Sequence, residues 1–415
     1  MKVGTEYKKE KCDKKGKHIE SNLDKETDNA IKKLKKRVVK ENLAIYQTDK
    51  TAKFVLDSLE NLENKMKKHT EKHRKIGRKQ FKKIQNSINN HTRHWLQFLN
   101  TGRDVKQTKR TCMNLINDDN PLPLLRGTAK DHKPNFDPVK GPELRPIMGA
   151  KVGPNTGLSQ IGCKILKKVL EKKNDKKEVK STEELMAKFK EYNSNRSEET
   201  GQQVVKSKTV GSMDIKSFYP SICPNRAAEI SRSMFEKSDV EIENVNFDIL
   251  AKYLGKFLTN EKIDKEDIRD LVYTKKPKEK KKIAKKISKK ANRSKSLVVR
   301  NIEKKKKVEI EEENWLRPKK LPNSTEAKRM LGIALELLIV TCMSNHMYKF
   351  NGERRLQDGE GPTGLDLTGL VADIYMLWWD DQYIEKLTEL GFVSDLYTRF
   401  KDDVNVISEV FGPKI

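Results

Sequence analysis

The sequence feature that most constrains the fold is a pair of strand-like segments that both end in aspartate. Asp214 follows an apolar run in GSMDIKSFYPSI, and Asp402 and Asp403 lie between two alternating runs in LYTRFKDDVNVI. An isolated carboxylate at the end of a buried strand is costly to desolvate. A tight hairpin with Asp402 and Asp403 at its tip, beside a strand that ends in Asp214, therefore predicts carboxylates within a few ångströms of one another.

Divalent cations are the usual means of neutralising such a cluster of carboxylates. Two Mg²⁺ ions about 3.5–4 Å apart serve phosphoryl transfer, one activating the attacking 3′-oxygen and the other holding the leaving pyrophosphate. We expect Asp214, Asp402 and Asp403 to be catalytic, metal-binding residues, with Mn²⁺ able to replace Mg²⁺. A single Asp-Asp pair is more often an exposed turn, so the prediction depends on all three residues together.

The basic charge of the chain is concentrated in three segments. The formal net charge is +28, and residues 275–307 alone hold 17 Lys+Arg and 2 acidic residues. Residues 1–40 and 65–83 have net charges of +7 and +9, which leaves the rest of the chain close to neutral. A basic excess of this kind is typical of proteins that bind a polyanion, and nucleic acid is the obvious candidate.

The most basic segment, which contains KKPKEKKKIAKKISKKANRSKS, is low in complexity and poor in acidic residues. This composition predicts a segment that is disordered or ordered by a ligand. Binding to a phosphate backbone, nuclear localisation and a solvated tether are all compatible with it. In residues 56–88, apolar residues at helical spacing predict a basic amphipathic helix or helix pair. The pairs His69/His73 and His91/His94 are expected to be ordinary surface histidines, because no Cys or Glu supports a zinc site.

Two features argue against secretion and membrane insertion. Met1 is followed by lysines with no apolar run behind them, and the longest apolar stretch, Leu331–Met343, is too short to span a bilayer. The five cysteines form no CxxC pair, which disfavours disulfide frameworks and Cys-based zinc sites. We therefore expect an intracellular, nuclear protein with no membrane partner.

Apolar periodicity and turn residues predict a mixture of helices and strands. Residues 173–210 are charged and polar and are expected to form a connection. The predicted elements are a helix over Leu158–Leu170, a strand over Val204–Met213, a helix from Pro224, helices over Ala327–Met347 and Leu367–Leu387, and a hairpin at 396–407.

The motifs together resemble the fingers and palm of a reverse transcriptase, most closely the Penelope-like retroelement branch. GSMDIKSFYPSI resembles the first catalytic motif, FKDD the xxDD motif, and LQDGEGPTGLDLTGLVADIYM the glycine motif between them. RGTAKDHKP and LRPIMGAKVGPNTGLSQIGCKIL resemble the fingers signature, and KFNGERRLQDGEG the hairpin before the glycine motif. QTDKTAKFVLDSLENLENKM resembles, more loosely, the start of the fingers.

The resemblance implies an α+β fold, a right-hand polymerase whose antiparallel palm sheet is backed by helices. It implies weak processive synthesis, because the family's thumb and GIY-YIG endonuclease domain are expected to be missing from this chain. The implied organisation is a basic helical N-terminal region (1–120), fingers (121–210), a first palm part (211–258), a Lys-rich, disordered insertion (259–325) and a second palm part (326–415).

The resemblance also implies roles at the catalytic centre. Asp214 and Asp402 would bind the two Mg²⁺ ions, Asp403 would be an auxiliary acid, and the backbone carbonyl of Ile215 would complete a coordination shell. Tyr219 would lie under the sugar of the incoming nucleotide, where its ring obstructs a 2′-hydroxyl and favours deoxynucleotides. A buried core aromatic is the alternative role for Tyr219.

Further implied roles concern the phosphates and the nucleic acid, since the expected partners are an RNA template, a DNA primer and dNTPs. Lys130, Lys133 and Arg145 would face the triphosphate and template backbone, because Arg offers a forked donor and Lys a point charge. Gly361 and Gly364 would allow the backbone to approach the template and primer closely, because they lack a side chain. A plain turn before a helix is the other interpretation of these glycines.

The sequence departs from the family pattern at two places near the proposed site. Gly364 is followed by Leu365 and Asp366, where the family has Ser-Pro, and Lys401 occupies a normally apolar position before the paired aspartates. Lys401 could lie beside the metal site or point to solvent. These departures keep open a second function, that of a truncated or degenerate copy that only binds nucleic acid.

Overall fold

The computed structural model describes residues 25–51, 53–99, 122–130, 141–149, 153–173, 177–199, 209–242, 245–256, 273–274, 317–318, 323–357, 359–391 and 394–408. The described helices are α1 (Lys25–Lys40), α2 (Leu59–Thr70), α3 (Arg78–Phe98), α4 (Thr156–Lys173), α5 (Thr182–Glu199), α6 (Phe218–Ser221), α7 (Pro224–Lys237), α8 (Phe247–Gly255), α9 (Ser324–Ser344) and α10 (Asp366–Glu389). The described strands are β1 (Leu43–Gln47), β2 (Phe54–Ser58), β3 (Arg74–Lys75), β4 (Leu125–Ala129), β5 (Leu144–Met148), β6 (Thr209–Asp214), β7 (Tyr273–Thr274), β8 (Arg317–Pro318), β9 (His346–Phe350), β10 (Glu353–Gln357), β11 (Ser394–Phe400) and β12 (Asp403–Ser408).

Helix α9 forms the centre of the main hydrophobic core. Its sequence is apolar on almost every face, and most residues from Met330 to Met343 are buried, with contacts to α3, α4, α7 and α8. A capping box between Asn323 and Glu326 satisfies the first backbone N–H groups of α9 and fixes where the helix begins. Glu336, the acidic residue within this apolar stretch, accepts a hydrogen bond from Arg232 of α7 at 3.1 Å. The one charge that interrupts the apolar run is therefore paired where two helices meet.

A three-stranded antiparallel sheet in the order β11-β12-β6, which we call the aspartate sheet, packs on α10. Strand β12 alternates in burial, so Val404 and Val406 point towards α10 while Asp403 lies on the opposite, exposed face. The buried side packs against the aromatic and aliphatic residues Trp379, Tyr383 and Ile384. This period of two is what places the acidic and apolar residues of a single strand on different faces.

The N-terminal part of the chain forms smaller antiparallel sheets beside this core. Strands β1 and β2 form one hairpin, β4 and β5 a second pair, and β3 joins the β9-β10 hairpin. The pairs are linked by a parallel bridge between Thr48 and Ala129 and by another between Leu124 and Lys349. Tyr46, Met66, Ala129 and Leu144 form the small apolar core of this region.

Most of the predicted elements of the core are confirmed. The helices predicted over Leu158–Leu170, from Pro224, over Ala327–Met347 and over Leu367–Leu387 correspond to α4, α7, α9 and α10. The hairpin at 396–407 is β11-β12, and the described end of the strand over Val204–Met213 is β6. Residues 56–88 contain the predicted helix pair, α2 and α3. Among the described helices, none is long and apolar enough to cross a membrane.

Three predictions differ from the structure. The N-terminal region is helical only in part, because 43–58 form the β1-β2 hairpin. The polar stretch 173–210 contains helix α5, which its many charged residues did not predict. His73 and His91 are buried rather than on the surface, and each ring nitrogen hydrogen-bonds to a tyrosine hydroxyl, at 2.7 and 2.8 Å. Burial lowers the pKa of His91 to about 4.

Within the Lys-rich insertion, 259–325, a short pair of strands flanks residues 275–316. Tyr273 lies opposite Pro318 and Thr274 opposite Arg317, in antiparallel register between β7 and β8. The segment 275–307 lies outside the described residues, as does the greater part of 259–325. Thr274 and Arg317, which flank residues 275–316, are therefore adjacent in space.

The residues that connect β10 to α10, 359–365, form a loop that we call the glycine loop. Gly364 has φ of +95°, which L side chains rarely adopt, and a Cβ atom there would collide with the backbone carbonyl oxygen of Met148 in β5. The loop therefore approaches β5 as closely as two backbones can, and only glycine permits this. This contact links the N-terminal sheets to the helical core.

We predict that Gly364→Ala lowers the free energy of unfolding by about 2 kcal/mol or more, from the strained φ and the clash with Met148. Urea unfolding measures the change. Gly369→Ala is the matched control, because nothing lies within 4 Å of a Cβ atom at this position in α10. This control should stabilise the helix by up to about 1 kcal/mol. Equal changes in the free energy of unfolding for the two variants would contradict the requirement for glycine at position 364.

Candidate active site

The three predicted aspartates meet at one end of the aspartate sheet. Asp403, the first residue of β12, lies directly opposite Asp214, the last residue of β6. Asp402 precedes Asp403 in the two-residue turn between β11 and β12, where Lys401 has φ of +57°. Directly opposed residues in antiparallel strands have Cβ atoms about 4.5–5.5 Å apart. The register therefore places Asp403 and Asp214 side by side at the end of the sheet, next to the turn that contains Asp402.

The electrostatics of Asp403 reflect this proximity. Desolvation raises the pKa of Asp403 most, and the neighbouring negative charges of Asp402 and Asp214 raise it further. The positive charge of Lys50, in the loop between β1 and β2, acts in the opposite direction. Like charges close together oppose ionisation, and this repulsion is the reason that the neighbouring aspartates raise the pKa of Asp403.

Carboxylate oxygens are the donors that Mg²⁺ prefers, so the chemistry of these three residues suits a hard divalent cation. Their side chains do not converge on a common point: among the described residues, no group of three or more His, Cys, Asp or Glu side chains is arranged to hold a metal ion. Ile215 follows β6 directly and is partly buried, and the role of its carbonyl as a ligand stays a prediction.

Lys401 is partly exposed to solvent and forms an ion pair with an acid of α10. Its Nζ donates to both carboxylate oxygens of Asp373, at 2.8 Å each, and Asp373 belongs to α10. The ammonium group is thus held by an acid on the helix behind the turn. This pairing explains how a lysine is accommodated in a position beside the paired aspartates.

Tyr219 lies in the short helix α6, five residues after Asp214, and is half-buried. It lines a cavity of about 720 Å³ together with Gly364, Asp373 and Lys401. Desolvation raises the pKa of Tyr219, with smaller contributions from the charges of Asp373 and Asp402. The charge of Asp402 in the turn therefore acts on Tyr219. The residue also lies on the wall of a cavity large enough for a small molecule.

Two of the predicted phosphate-binding cations are paired with acids. Arg145 of β5 forms an ion pair with Asp49 at 3.0 Å, and its charge reaches Tyr219, whose pKa it lowers slightly. Lys130 lies 3.7 Å from Glu143. Lys133 is outside the described residues. Whether Lys130, Lys133 and Arg145 bind phosphate stays a prediction.

The two glycines approach the chain's own backbone. A Cβ atom at Gly361 would collide with the carbonyl oxygen of Tyr219, and one at Gly364 with that of Met148. Their small size is therefore required for packing the glycine loop between α6 and β5. Contact of Gly361 and Gly364 with a template or primer stays a prediction.

Sequence reasoning missed four residues around this site: Lys50, Asp373, Asp380 and Arg399. Asp373 and Asp380 lie seven residues apart on an apolar helix, and this spacing could have signalled two acids on one face. Arg399 occupies an inward position of β11, where alternation predicts an apolar side chain. Lys50 carries no comparable signal, because its position depends on the β1-β2 loop reaching the aspartates.

Comparison with solved structures gives distant likenesses to telomerase. Telomerase from Candida albicans in complex with a TWJ fragment of telomeric RNA has a TM-score of 0.46 and 12% identity, covering 91% of this chain and 47% of that one. Apo telomerase from Candida tropicalis has a TM-score of 0.43 and 11% identity, covering 93% of this chain and 52% of that one. A form of the latter truncated from its C-terminal domain gives 0.38 and 12%, with coverages of 91% and 54%.

The chain thus spans about half the length of these telomerase structures. Likenesses with TM-scores below 0.5 are too distant to carry an argument, so the function proposed below depends on the residues of this chain. No protein-family model and no curated protein matches it.

We predict that Asp403→Asn is more stable than the wild type at pH 7 in the absence of divalent cations. The folded-state pKa of Asp403 is raised, so its contribution to stability is fully present below the unfolded-state pKa. That contribution is lost as the pH rises through the folded-state pKa. Thermal unfolding in a chelator should show a higher melting temperature for the variant at pH 7 and a difference that vanishes near pH 3.

Asp395→Asn is the control for this experiment, because Asp395 is an exposed aspartate at the far end of β11. It should unfold like the wild type at both pH values. A variant at Asp403 that is less stable than the wild type at pH 7 would overturn the prediction.

Proposed function

We propose that the chain is the fingers and palm portion of an RNA-directed DNA polymerase. The observation that carries the proposal is the opposition of Asp403 and Asp214 across β12 and β6, with Asp402 in the adjoining turn. Tyr219 supports it, since this tyrosine lines a cavity beside the same turn. An acidic cluster at a strand end, next to an aromatic-walled cavity, suits the transfer of a nucleotide to a hydroxyl group.

The proposed reaction joins a primer 3′-hydroxyl to the α-phosphate of a dNTP and releases pyrophosphate. Asp214, Asp402 and Asp403 would hold two Mg²⁺ ions, or Mn²⁺ ions, which would supply charge neutralisation and Lewis acidity. The side chains of this chain position the reactants. The ring of Tyr219 would exclude a 2′-hydroxyl, and the guanidinium of Arg145 would donate to phosphate oxygens.

The wider assignment follows the order of the motifs. Residues 121–210 would be the fingers, 211–258 and 326–415 the two parts of the palm, and 259–325 an insertion between them. The Penelope-like retroelement branch is proposed from the motif sequences alone. Under this proposal the partners are an RNA template, a DNA primer and dNTPs, and the protein acts in the nucleus.

Primer extension tests the proposal directly. Purified full chain should extend a DNA primer on an RNA template in the presence of Mg²⁺ and dNTPs, and Asp402→Asn should abolish extension because a carboxylate donor is lost. Asp395→Asn, an equivalent change at the far end of β11, should retain activity. Wild-type protein that binds the primer–template without extending it would sink the polymerase proposal for this chain.

A second candidate function is salt-sensitive binding of nucleic acid without catalysis. The basic charge favours it, since residues 275–307 have 17 Lys+Arg against 2 acidic residues. Because β7 and β8 place Thr274 opposite Arg317, residues 308–316 are enough to connect these two residues after 275–307 is removed.

We predict that deletion of 275–307 weakens RNA binding and flattens its dependence on salt. Each phosphate contact that is lost reduces the slope of log affinity against log salt by roughly 0.7–0.9. Fluorescence anisotropy over a range of salt concentrations measures the slope, and thermal unfolding checks that the fold is intact. Unchanged affinity and slope would reduce the segment to a localisation signal or a tether.

A further inference from the structure

Helix α10 presents two acidic side chains to the hairpin that carries the proposed catalytic aspartates. Asp373 and Asp380 are seven residues apart, which is about two turns of an α-helix, so they lie on the same face. Both are buried, Asp373 with 8% and Asp380 with 0% of its surface exposed. Acids in such positions need specific partners, and each of these finds its partner in the hairpin.

Asp380 is at the centre of a buried network with β11. One carboxylate oxygen accepts from the hydroxyl of Tyr397 at 2.6 Å, and the other from Nε of Arg399 at 2.8 Å. Arg399, like Asp380, is fully buried. A buried ion pair is weak evidence for stability, because desolvation offsets much of the attraction. What the network does fix is the position of the guanidinium group.

That guanidinium reaches the turn. Nη1 of Arg399 donates to the backbone carbonyl of Lys401 at 3.0 Å, and the backbone of Arg399 is itself held by Lys177 and Val179, at 3.0 and 2.8 Å. The network therefore extends from α10 through a rigid side chain to the peptide that directly precedes Asp402. A planar, multiply bonded guanidinium is suited to this kind of geometric restraint.

The second acid holds the same turn residue from its other end. Nζ of Lys401 donates to both oxygens of Asp373 at 2.8 Å. Lys401 is also in the left-handed region, with φ of +57°, a conformation that is uncommon for residues other than glycine. Backbone and side chain of Lys401 are thus both fixed by α10, through Arg399 and Asp373 respectively.

We infer that Asp373 and Asp380 are positioning residues, which set the conformation of the Lys401-Asp402 turn and so the placement of the carboxylates of Asp402 and Asp403. The consequence for catalysis depends on the proposed polymerase function, whereas the restraint on the turn does not. The two acids touch no reacting atom in this scheme. They act on the aspartate pair through Arg399 and Lys401.

Three variants test the inference in the full chain: Asp373→Asn, Arg399→Lys and Asp380→Asn. The first weakens the hold on the Lys401 side chain. Arg399→Lys keeps the positive charge beside Asp380 and removes the donor to the Lys401 carbonyl. Glu385→Gln is the matched control, since Glu385 is an exposed acid on the same helix. Asp380→Asn removes a fully buried charge, so if it fails to fold the other two variants decide.

The first readout is amide hydrogen exchange of the peptide that covers the β11-β12 turn. Asp373→Asn and Arg399→Lys should exchange about tenfold faster there, with unchanged exchange in α9, while Glu385→Gln matches the wild type. The second readout is calorimetric titration with Mg²⁺ alone, for which we expect an affinity about 10- to 100-fold lower in the two variants. In primer extension, kcat should fall while the KM for the primer–template stays the same.

If the amides of the turn exchange at the wild-type rate in both Asp373→Asn and Arg399→Lys, the inference is overturned. The failure of the proposed function looks different. In that case the wild type extends no primer, yet the two variants still exchange faster at the turn than Glu385→Gln. A variant that loses protection across α9 as well as the turn would show a structural role in place of a positioning one.

Discussion

The opposition of Asp403 and Asp214 in neighbouring strands is the constraint on which the rest of the structure depends. Two carboxylates directly across an antiparallel pair repel each other, and the charge of Asp402 adds to the repulsion. The sheet that carries them has only three strands, so it cannot tolerate this repulsion unaided. Its other face is packed on α10, where Val404 and Val406 meet a group of aromatic side chains. Burial of apolar side chains on one face of the sheet thus offsets the repulsion between carboxylates on the other face.

Helix α10 combines this packing with the placement of charge. Its apolar residues pack in the main core and against the sheet, and its two buried acids pair with basic residues of the aspartate hairpin. Those basic residues, Arg399 and Lys401, lie immediately before Asp402. Helix α10 therefore neutralises the positive charges of Arg399 and Lys401. It does not neutralise the negative charges of Asp402 and Asp403. A net negative end of the sheet is what a site for divalent cations requires.

Close backbone contacts join the separate parts of the molecule. At Gly361 and Gly364 the glycine loop lies directly against the carbonyls of Tyr219 and Met148, so the loop, α6 and β5 are fixed relative to one another. Tyr219 and Arg145, which the motifs assign to the nucleotide, are thereby held beside the aspartate sheet.

The basic charge of the chain is divided between lysines in ion pairs and one segment with a large basic excess. The described lysines near Glu353 and Glu360 form ion pairs, and the largest basic excess lies between β7 and β8.

The sequence by itself determined the main elements of the core and the placement of Asp214 beside the hairpin that carries Asp402 and Asp403. The apolar residues identified α4, α7, α9 and α10. A helix that is buried on one face has apolar residues at helical spacing, and a helix that is buried on all faces has a long apolar run. A strand that ends in Asp214 and a hairpin with Asp402 and Asp403 at its tip left few other arrangements. Helix α5 was missed because its many charged residues leave no clear apolar period, and the β1-β2 hairpin because each strand is only five residues long.

Only the tertiary structure decided the partners of the charged residues. The orientation of Lys401 depends on Asp373, 28 residues away in the chain, and the conformation of the turn depends on Arg399 and its bond to Asp380. The need for glycine at position 364 likewise comes from Met148 in another sheet. A sequence records which residues prefer burial, whereas a charge or a missing side chain is explained only by the neighbour that folding brings to it.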